Sequence, residues 1–174
     1  MKTVSDGVIM LEPTTKEASA FTETDVALSQ KFREAGFGLH KDGEALLSPL
    51  EAGYLVKIGK AKFSQGTLAS FLAAQKKRDK EFPFALAVYF IIRQTGRMVA
   101  PFEKTTQYFR AYAPGVGRTE NRPSQLIYLL PGKAPSAKQL AEQVKIAHLS
   151  RLELIIACGD EKEPHFYKLS AFNF

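Results

Sequence analysis

Beyond Arg97 the chain alternates short apolar runs with turn signals in one order, and that order constrains the fold more than any other feature. Met98-Val99-Ala100-Pro101 and then Gln107 to Tyr112 read as strands. Ala113 to Pro123 holds Pro114, Gly115, Gly117, Asn121 and Pro123 and reads as a loop. Gln125 to Leu130 is a further strand. Ser136 and Gln139 form a capping box that opens a helix reaching about Arg151, with Leu140, Val144 and Ala147 on one face. Leu152 to Cys158 is a continuous apolar strand, Gly159 to Pro164 an acidic turn, and His165 to Phe174 an aromatic-rich closing strand. Phe84 to Thr95 precedes all of this as a strongly apolar helix ending at Gly96. Helix, strands, helix, strand, turn, strand is an α/β unit.

The first half carries its own signals. Residues 1–12 read as a short strand and Pro13 to Thr24 as polar and turn-rich. Asp25 is a candidate cap for a helix with Val26, Leu28 and Phe32, stopping at Gly36. Phe37 to Leu47 looks like a hairpin around Lys41-Asp42-Gly43. Ser48-Pro49-Leu50-Glu51 is a strong helix start: a serine cap, proline at the first helical position and glutamate at the capping-box position. Leu50, Tyr54, Leu55 and Ile58 share one face, and Gly59 ends the helix. Ser64 to Lys80 reads as another amphipathic helix with Leu68, Phe71 and Leu72 inward. Its end, Lys76-Lys77-Arg78-Asp79-Lys80, reads as solvated cations that complement the helix dipole, an RNA-facing patch being the alternative. A charged run meets proline at Glu81–Pro83, so a boundary is expected there. The fold class expected is α/β (α+β): a small N-terminal α/β domain over residues 1–80, and a C-terminal α/β domain over 81–174 with a mixed sheet flanked by helices.

Charge adds a functional clue. The 174 residues are 45% hydrophobic and 24% charged, so the chain can bury a core, and the net charge is +6. Residues 93–151 hold ten basic residues against three acidic ones, a net +7, while the rest nearly balances. A concentrated basic surface attracts phosphate through counterion release. No apolar run approaches the roughly 18 residues of a membrane span, so no membrane partner is expected. The first ten residues carry Lys2 and Asp6 and no long apolar stretch, so no secretory leader is expected. One cysteine, Cys158, excludes an internal disulfide and a cysteine zinc cluster. His40, His148 and His165 are far apart, which argues against a histidine metal site. A reducing cytoplasm and no cofactor or metal are the expectations.

Several of these pieces, taken in order, resemble the archaeal tRNA-splicing endonucleases. Tyr89 to Gly96 resembles the family's tyrosine–arginine–glycine helix end. Phe109-Arg110-Ala111-Tyr112 is similar to its aromatic–arginine–x–tyrosine strand. Ser124 to Leu130 looks like the strand that carries a histidine–serine pair at its start. Lys145 to Leu154 resembles the helix with an alanine–histidine pair that leads to the catalytic lysine, and Leu154 to Tyr167 the closing strand, acidic turn and strand. In the first half, Leu47 to Leu55 with Gly59 resembles the family's N-terminal-domain helix. The resemblance covers most of residues 37–174 and implies a nuclease-like C-terminal domain.

The resemblance implies a chemistry: metal-independent attack of an RNA 2′-hydroxyl on its neighbouring phosphate, leaving 2′,3′-cyclic phosphate and 5′-hydroxyl ends. A tyrosine and a histidine move protons, and a lysine stabilises growing negative charge. In this chain Tyr112 stands at the tyrosine position, but the histidine position is Pro123 and the lysine position is Leu152. Neither replacement can titrate. A lone phenol is a poor proton-transfer group near neutrality, so Tyr112 is vestigial and no catalytic residue is expected. The resemblance then implies the structural, non-catalytic subunit of a two-plus-two heterotetramer, partnered by a homologous catalytic subunit and acting on precursor tRNA at bulge–helix–bulge sites.

Two surfaces and one basic set follow from it. In the family an acidic loop enters a basic pocket of the partner, which here implies Asp160 and Glu161 in the turn also bearing Glu163. The closing strand, with Phe166, Tyr167, Leu169 and Phe172, would pair between subunits, as an open strand edge invites. Lys145 sits where the family grips a bulged base with arginine, and lysine lacks the flat guanidinium. Arg110, Arg118 and Arg122 are candidate phosphate contacts. His148 reads as a packing histidine and Cys158 as a buried inert thiol. Three other readings stay open: a competent endonuclease with a rearranged site of Tyr112, Arg151 and His148, a stand-alone RNA-binding module, and a scaffold that never touches RNA.

Overall fold

A computed structural model of the chain describes residues 9–13, 21–23, 26–41, 44–101, 106–115, 122–132 and 135–170. The chain divides into two compact units, Met1–Lys80 and Glu81–Phe174. Both are mixed α/β.

Among its described residues the N-terminal unit has a five-stranded sheet and three helices. Its elements are β1 (Ile9–Pro13), β2 (Phe21–Glu23), α1 (Val26–Glu34), β3 (Leu39–Lys41), β4 (Glu44–Leu47), α2 (Pro49–Lys57), β5 (Ala61–Phe63) and α3 (Leu68–Arg78). The strand order is β3-β4-β2-β1-β5, with β1 and β5 parallel and the other neighbours antiparallel. The β3–β4 hairpin pairs Lys41 with Glu44. The capping box at Ser48 is present: Glu51 accepts from the Ser48 N–H at 2.8 Å, and the Ser48 hydroxyl accepts from the Glu51 N–H at 3.3 Å. Glu51 is buried and also accepts from the Gly38 N–H at 2.9 Å, so one carboxylate closes the helix start and holds the entry to the hairpin. Phe37 stacks on Tyr54 at 5.9 Å and meets Phe32 edge-on at 6.1 Å, forming part of the core with Leu47, Leu50 and Leu55.

Two strands lie where none was expected. Phe21–Glu23 falls in the stretch read as turns, and Ala61–Phe63 follows directly on Gly59 and Lys60. Each is only three residues long, too short for a periodicity, and each exists because a neighbouring strand supplies its hydrogen bonds. The following helix starts later than Ser64, because Thr67 caps it through the Ser70 N–H.

The C-terminal unit comprises α4 (Phe82–Gln94), β6 (Val99–Pro101), β7 (Tyr108–Ala111), β8 (Gln125–Pro131), α5 (Ala137–Leu149), β9 (Glu153–Gly159) and β10 (Pro164–Leu169). The order β10-β9-β8-β7-β6 has one parallel pair, β8–β9, bridged by α5, and is otherwise antiparallel. Alternation sorts the faces. Leu126, Tyr128, Leu154 and Ile156 pack with Ala147 of α5. Phe109, on the opposite face, meets Tyr89 of the buried α4 edge-on at 6.0 Å. Tyr108 stacks on Tyr128 at 5.1 Å, and its hydroxyl donates to Gln143 of α5 at 2.9 Å. Helix α4 begins two residues before Phe84 because proline is tolerated in a first turn, where Pro83 sits.

Three helices end in the same way. The N–H of the residue after the cap bonds three residues back and the next N–H bonds five back: Gly36 and Phe37 after α1, Gly59 and Lys60 after α2, Arg151 and Leu152 after α5. The first two use glycine at φ 71° and 74°, whereas the third forces Arg151 to φ 55°. It is the one non-glycine residue with positive φ among those described.

Candidate functional site

The C-terminal sheet brings two sequence-predicted positions, Tyr112 and Leu152, into one row and the third, Pro123, next to it. Register aligns Ala111, Gln125 and Glu153 across β7, β8 and β9. One step outward lie Tyr112, Ser124 and Leu152. The Ser124 N–H donates to the Ala111 carbonyl at 2.9 Å, and the Glu153 N–H to the Ser124 carbonyl at 3.0 Å. Pro123 immediately precedes this row. The crossover through α5 makes the coincidence necessary, since parallel strands begin at the same end.

The row offers little reactive chemistry. Tyr112 is buried, only 8% exposed, and its N–H donates to the Met98 carbonyl at 3.0 Å. Pro123 is half-buried and cannot titrate. Leu152 is half-buried against the α5 cluster, where an apolar side chain fills space that an ammonium could not occupy without desolvation.

Charges flank the row. Arg97, half-buried, donates from Nη1 to the Tyr112 carbonyl at 3.3 Å. Arg122 and Arg151 are exposed. Glu153 is the counterweight. It accepts from Lys168 Nζ at 2.6 Å and from Gln125 Nε2 at 3.2 Å. Those bonds, with the charges of Lys168 and Arg97, hold its carboxyl below the usual carboxylate value. Sequence reading passed over Arg97 and Glu153. Arg97 was legible only as one cation among ten, and Glu153 lay inside a run read as wholly apolar.

The other expected residues lie apart from this row. Arg110 is exposed on β7, and Lys145 is exposed on α5. Arg118 and Phe172 fall outside the described residues. Two expectations need correction. His148 is exposed in the last turn of α5 rather than packed, because the buried stripe of that helix runs through Gln143 and Ala147. Cys158 is half-buried, since its strand has only the edge strand β10 beyond it.

The acidic turn is preformed. Asp160 Oδ1 accepts from the Lys162 N–H at 2.8 Å and the Glu163 N–H at 3.0 Å, and these bonds hold its carboxyl below the ordinary range. Gly159 permits the bend: its φ is 109°, and a Cβ there would meet the Glu163 carbonyl at 2.6 Å. Asp160, Glu161 and Glu163 are all exposed. Next to the turn, β10 forms an edge of the sheet, with Phe166 37% and Tyr167 56% exposed; Leu169 is half-buried. Ile146 and Leu149 of α5 are also exposed apolar residues, which the sequence reading missed. Their signal was their place off the Leu140–Val144–Ala147 face. Among the described residues no cluster of acidic, histidine or cysteine side chains could hold a metal ion, and no helix is long and apolar enough to cross a membrane.

No protein-family model matches the chain. Individual proteins do. A protein of Thermococcus onnurineus (strain NA1) is 29% identical over 161 residues, covering 89% of this chain and 92% of that one. Its name is tRNA-splicing endonuclease. Proteins of the same name from Thermococcus gammatolerans (strain DSM 15229 / JCM 11827 / EJ3) and Thermococcus kodakarensis (strain ATCC BAA-918 / JCM 12380 / KOD1) are each 28% identical over 160 residues, 88% of this chain and 94% of theirs. The chain is similar to these endonucleases across both of its units, so the likeness is not confined to the C-terminal sheet.

Proposed function

We propose that this chain is a structural, non-catalytic subunit of a tRNA-splicing endonuclease, supporting the removal of introns from precursor tRNA at bulge–helix–bulge sites. One observation carries the reading. A chain similar to endonucleases along nearly its whole length has, at the sheet end where their resemblance puts the reaction, a buried tyrosine, a proline and a packed leucine. Proton transfer requires a titratable group within hydrogen-bond reach of the reacting atoms, and neither Pro123 nor Leu152 is one.

The partner in this reading is a homologous catalytic subunit, two copies of each forming the assembly. A two-fold axis would hold two active sites at one separation, which suits two cuts in one transcript. The acidic turn of Asp160 and Glu161, the open edge of β10 with Phe166, Tyr167 and Leu169, and Phe172 further along the sequence are its contact surfaces. An edge strand left open is a template for another chain, and exposed aromatics beside it suit an interface core. Lys145, Arg110, Arg118 and Arg122 serve RNA, as cations that neutralise phosphate without cutting it.

A rearranged site of Tyr112, Arg151 and His148 draws support from the exposure of His148. Helix geometry opposes it. His148 lies five residues beyond Gln143, about 140° further round the helix, and Gln143 is the residue that faces β7 through Tyr108. The imidazole therefore turns away from the strand that leads into Tyr112.

The test is expression of the chain alone and together with an active homologous endonuclease, each assayed on an intron-containing precursor tRNA with chelator present. The chain alone leaves the RNA whole, and the pair cuts it at both junctions. Cleavage by the isolated chain overturns the reading.

A further inference from the structure

The N-terminal unit is electrically divided. Residues 1–56 carry nine acidic and five basic side chains, whereas residues 57–80 carry seven basic ones against the single carboxylate Asp79. All seven cations are exposed. They sit on elements packed on one another: the end of α2, the strand β5, and the end of α3. Phe63 of β5 meets Phe71 of α3 at 4.7 Å, and Lys76 in the last turn of α3 lies only about 7.5 Å further along that helix. Among the described residues no carboxylate pairs with Lys60, Lys62, Lys76, Lys77 or Lys80.

Helix dipoles account for part of this set. Lys57 lies in the last turn of α2, and Lys76, Lys77 and Arg78 in that of α3. Lys60, Lys62 and Lys80 belong to no helix. A lysine on an edge strand also discourages strand pairing, which accounts for Lys62 alone. The remaining excess places like charges near each other at an energetic cost that a polyanion would relieve.

We infer that this surface, centred on Lys60, Lys62, Lys76, Lys77 and Lys80, is a second RNA-backbone contact of the protein, separate from the cations of the C-terminal unit. The residue types favour phosphate over a protein partner. Protein interfaces are poor in lysine and rich in aromatic and large apolar anchors, and among the described side chains the exposed large hydrophobic ones, Ile146, Leu149, Phe166 and Tyr167, belong to the C-terminal unit. Six of the seven cations are lysines, mobile point charges that suit a backbone without reading sequence. The outer face of α3 carries Ala69, Ser70, Ala73 and Ala74, all exposed, so no bulky side chain keeps a polyanion away from Lys76 and Lys77. The inference deepens the proposed role and rests on it for the class of ligand.

The experiment measures binding of the full chain to a labelled bulge-containing precursor tRNA across a salt series. The probe protein carries five changes, Lys60→Gln, Lys62→Gln, Lys76→Gln, Lys77→Gln and Lys80→Gln. Each lost phosphate contact removes about 0.7–0.9 from the slope of log affinity against log salt. The five changes should therefore lower the slope by about two or more and weaken binding on the order of tenfold. The matching five lysine-to-arginine changes should keep the slope, which separates lost charge from lost folding. A slope that moves only with Lys145→Gln and Arg122→Gln overturns the inference and leaves the subunit reading intact. Failure of that reading would show instead as a chain with no effect on a catalytic partner's cleavage. Competition by a polyglutamate peptide equal to that of RNA at the same charge also overturns it, because the surface would then be a dock for acidic polypeptides.

Discussion

The Lys168 ammonium lies 2.6 Å from a carboxylate oxygen of Glu153, tying the edge strand β10 to the residue that opens β9. Gln125 of β8 donates to the other oxygen of the same carboxylate. One side chain thus links three strands at the end of the sheet where Tyr112, Ser124 and Leu152 meet.

This pair has a pH signature. The Lys168 hydrogen bond first, and then that from Gln125, hold Glu153 below its ordinary value of 4.5. A carboxyl depressed in the folded state stabilises fully above 4.5, and the contribution fades as pH falls through the lower folded value. Both partners are about half exposed, 59% and 48%, so the contribution stays under about 1 kcal/mol and shrinks with salt. Denaturation of Glu153→Gln should show a small deficit at neutral pH that closes in acid. A deficit that persists in acid would mean the change acts through packing.

Glu51 is a heavier element of stability. Its buried carboxylate accepts from two backbone N–H groups, of Ser48 and Gly38, so Glu51→Ala leaves both without their acceptor. The expected loss is about 2–4 kcal/mol for the N-terminal unit, since a buried unsatisfied donor costs about 1–3 kcal/mol. Ser48→Ala removes only the cap and should cost about 1 kcal/mol. Chemical denaturation of the two variants should rank them in that order.

Arg151 occupies a backbone conformation that glycine holds at the equivalent point after α1 and α2. A side chain there costs about 1–2 kcal/mol. Arg151→Gly should therefore raise the melting temperature by a few degrees. A lower melting temperature would show that the guanidinium makes a compensating contact.

Tyr112 separates a vestigial site from a working one. Tyr112→Phe in the assembled complex should leave the cleavage rate within about twofold. Loss of a true acid or base costs about 10²–10⁴-fold, so a fall of that size would return Tyr112 to the reaction.

The acidic turn should govern assembly. Asp160→Lys with Glu161→Lys reverses two charges on a preorganised bend, and like-charge contacts at an interface cost several kcal/mol. Co-purification with the catalytic homologue at moderate salt should fail. Recovery of an intact complex would remove the turn from the interface.

Much of the fold was legible because its signals are local. The caps at Ser48 and Ser136, the stops at Gly36, Gly59 and Gly96 and the hairpin between Leu39 and Leu47 each depend on neighbours a few residues away. The short strands Phe21–Glu23 and Ala61–Phe63 were not legible, since three residues carry no period and their hydrogen bonds come from strands elsewhere in the chain. His148 and Cys158 were misread for a related reason: exposure depends on which face a neighbouring element covers.

Residue identity alone determined that Pro123 and Leu152 hold no titratable group, because a side chain's chemistry needs no fold to establish it. The sequence by itself also determined the order of helices and strands in the C-terminal unit and the basic excess. Only the tertiary structure decided that Tyr112, Ser124 and Leu152 stand side by side, that Arg97 bonds to the Tyr112 carbonyl, and that Glu153 joins three strands. Those relations span tens of residues, and a parallel pair bridged by a helix, not any local pattern, brings such distant positions to one end of a sheet.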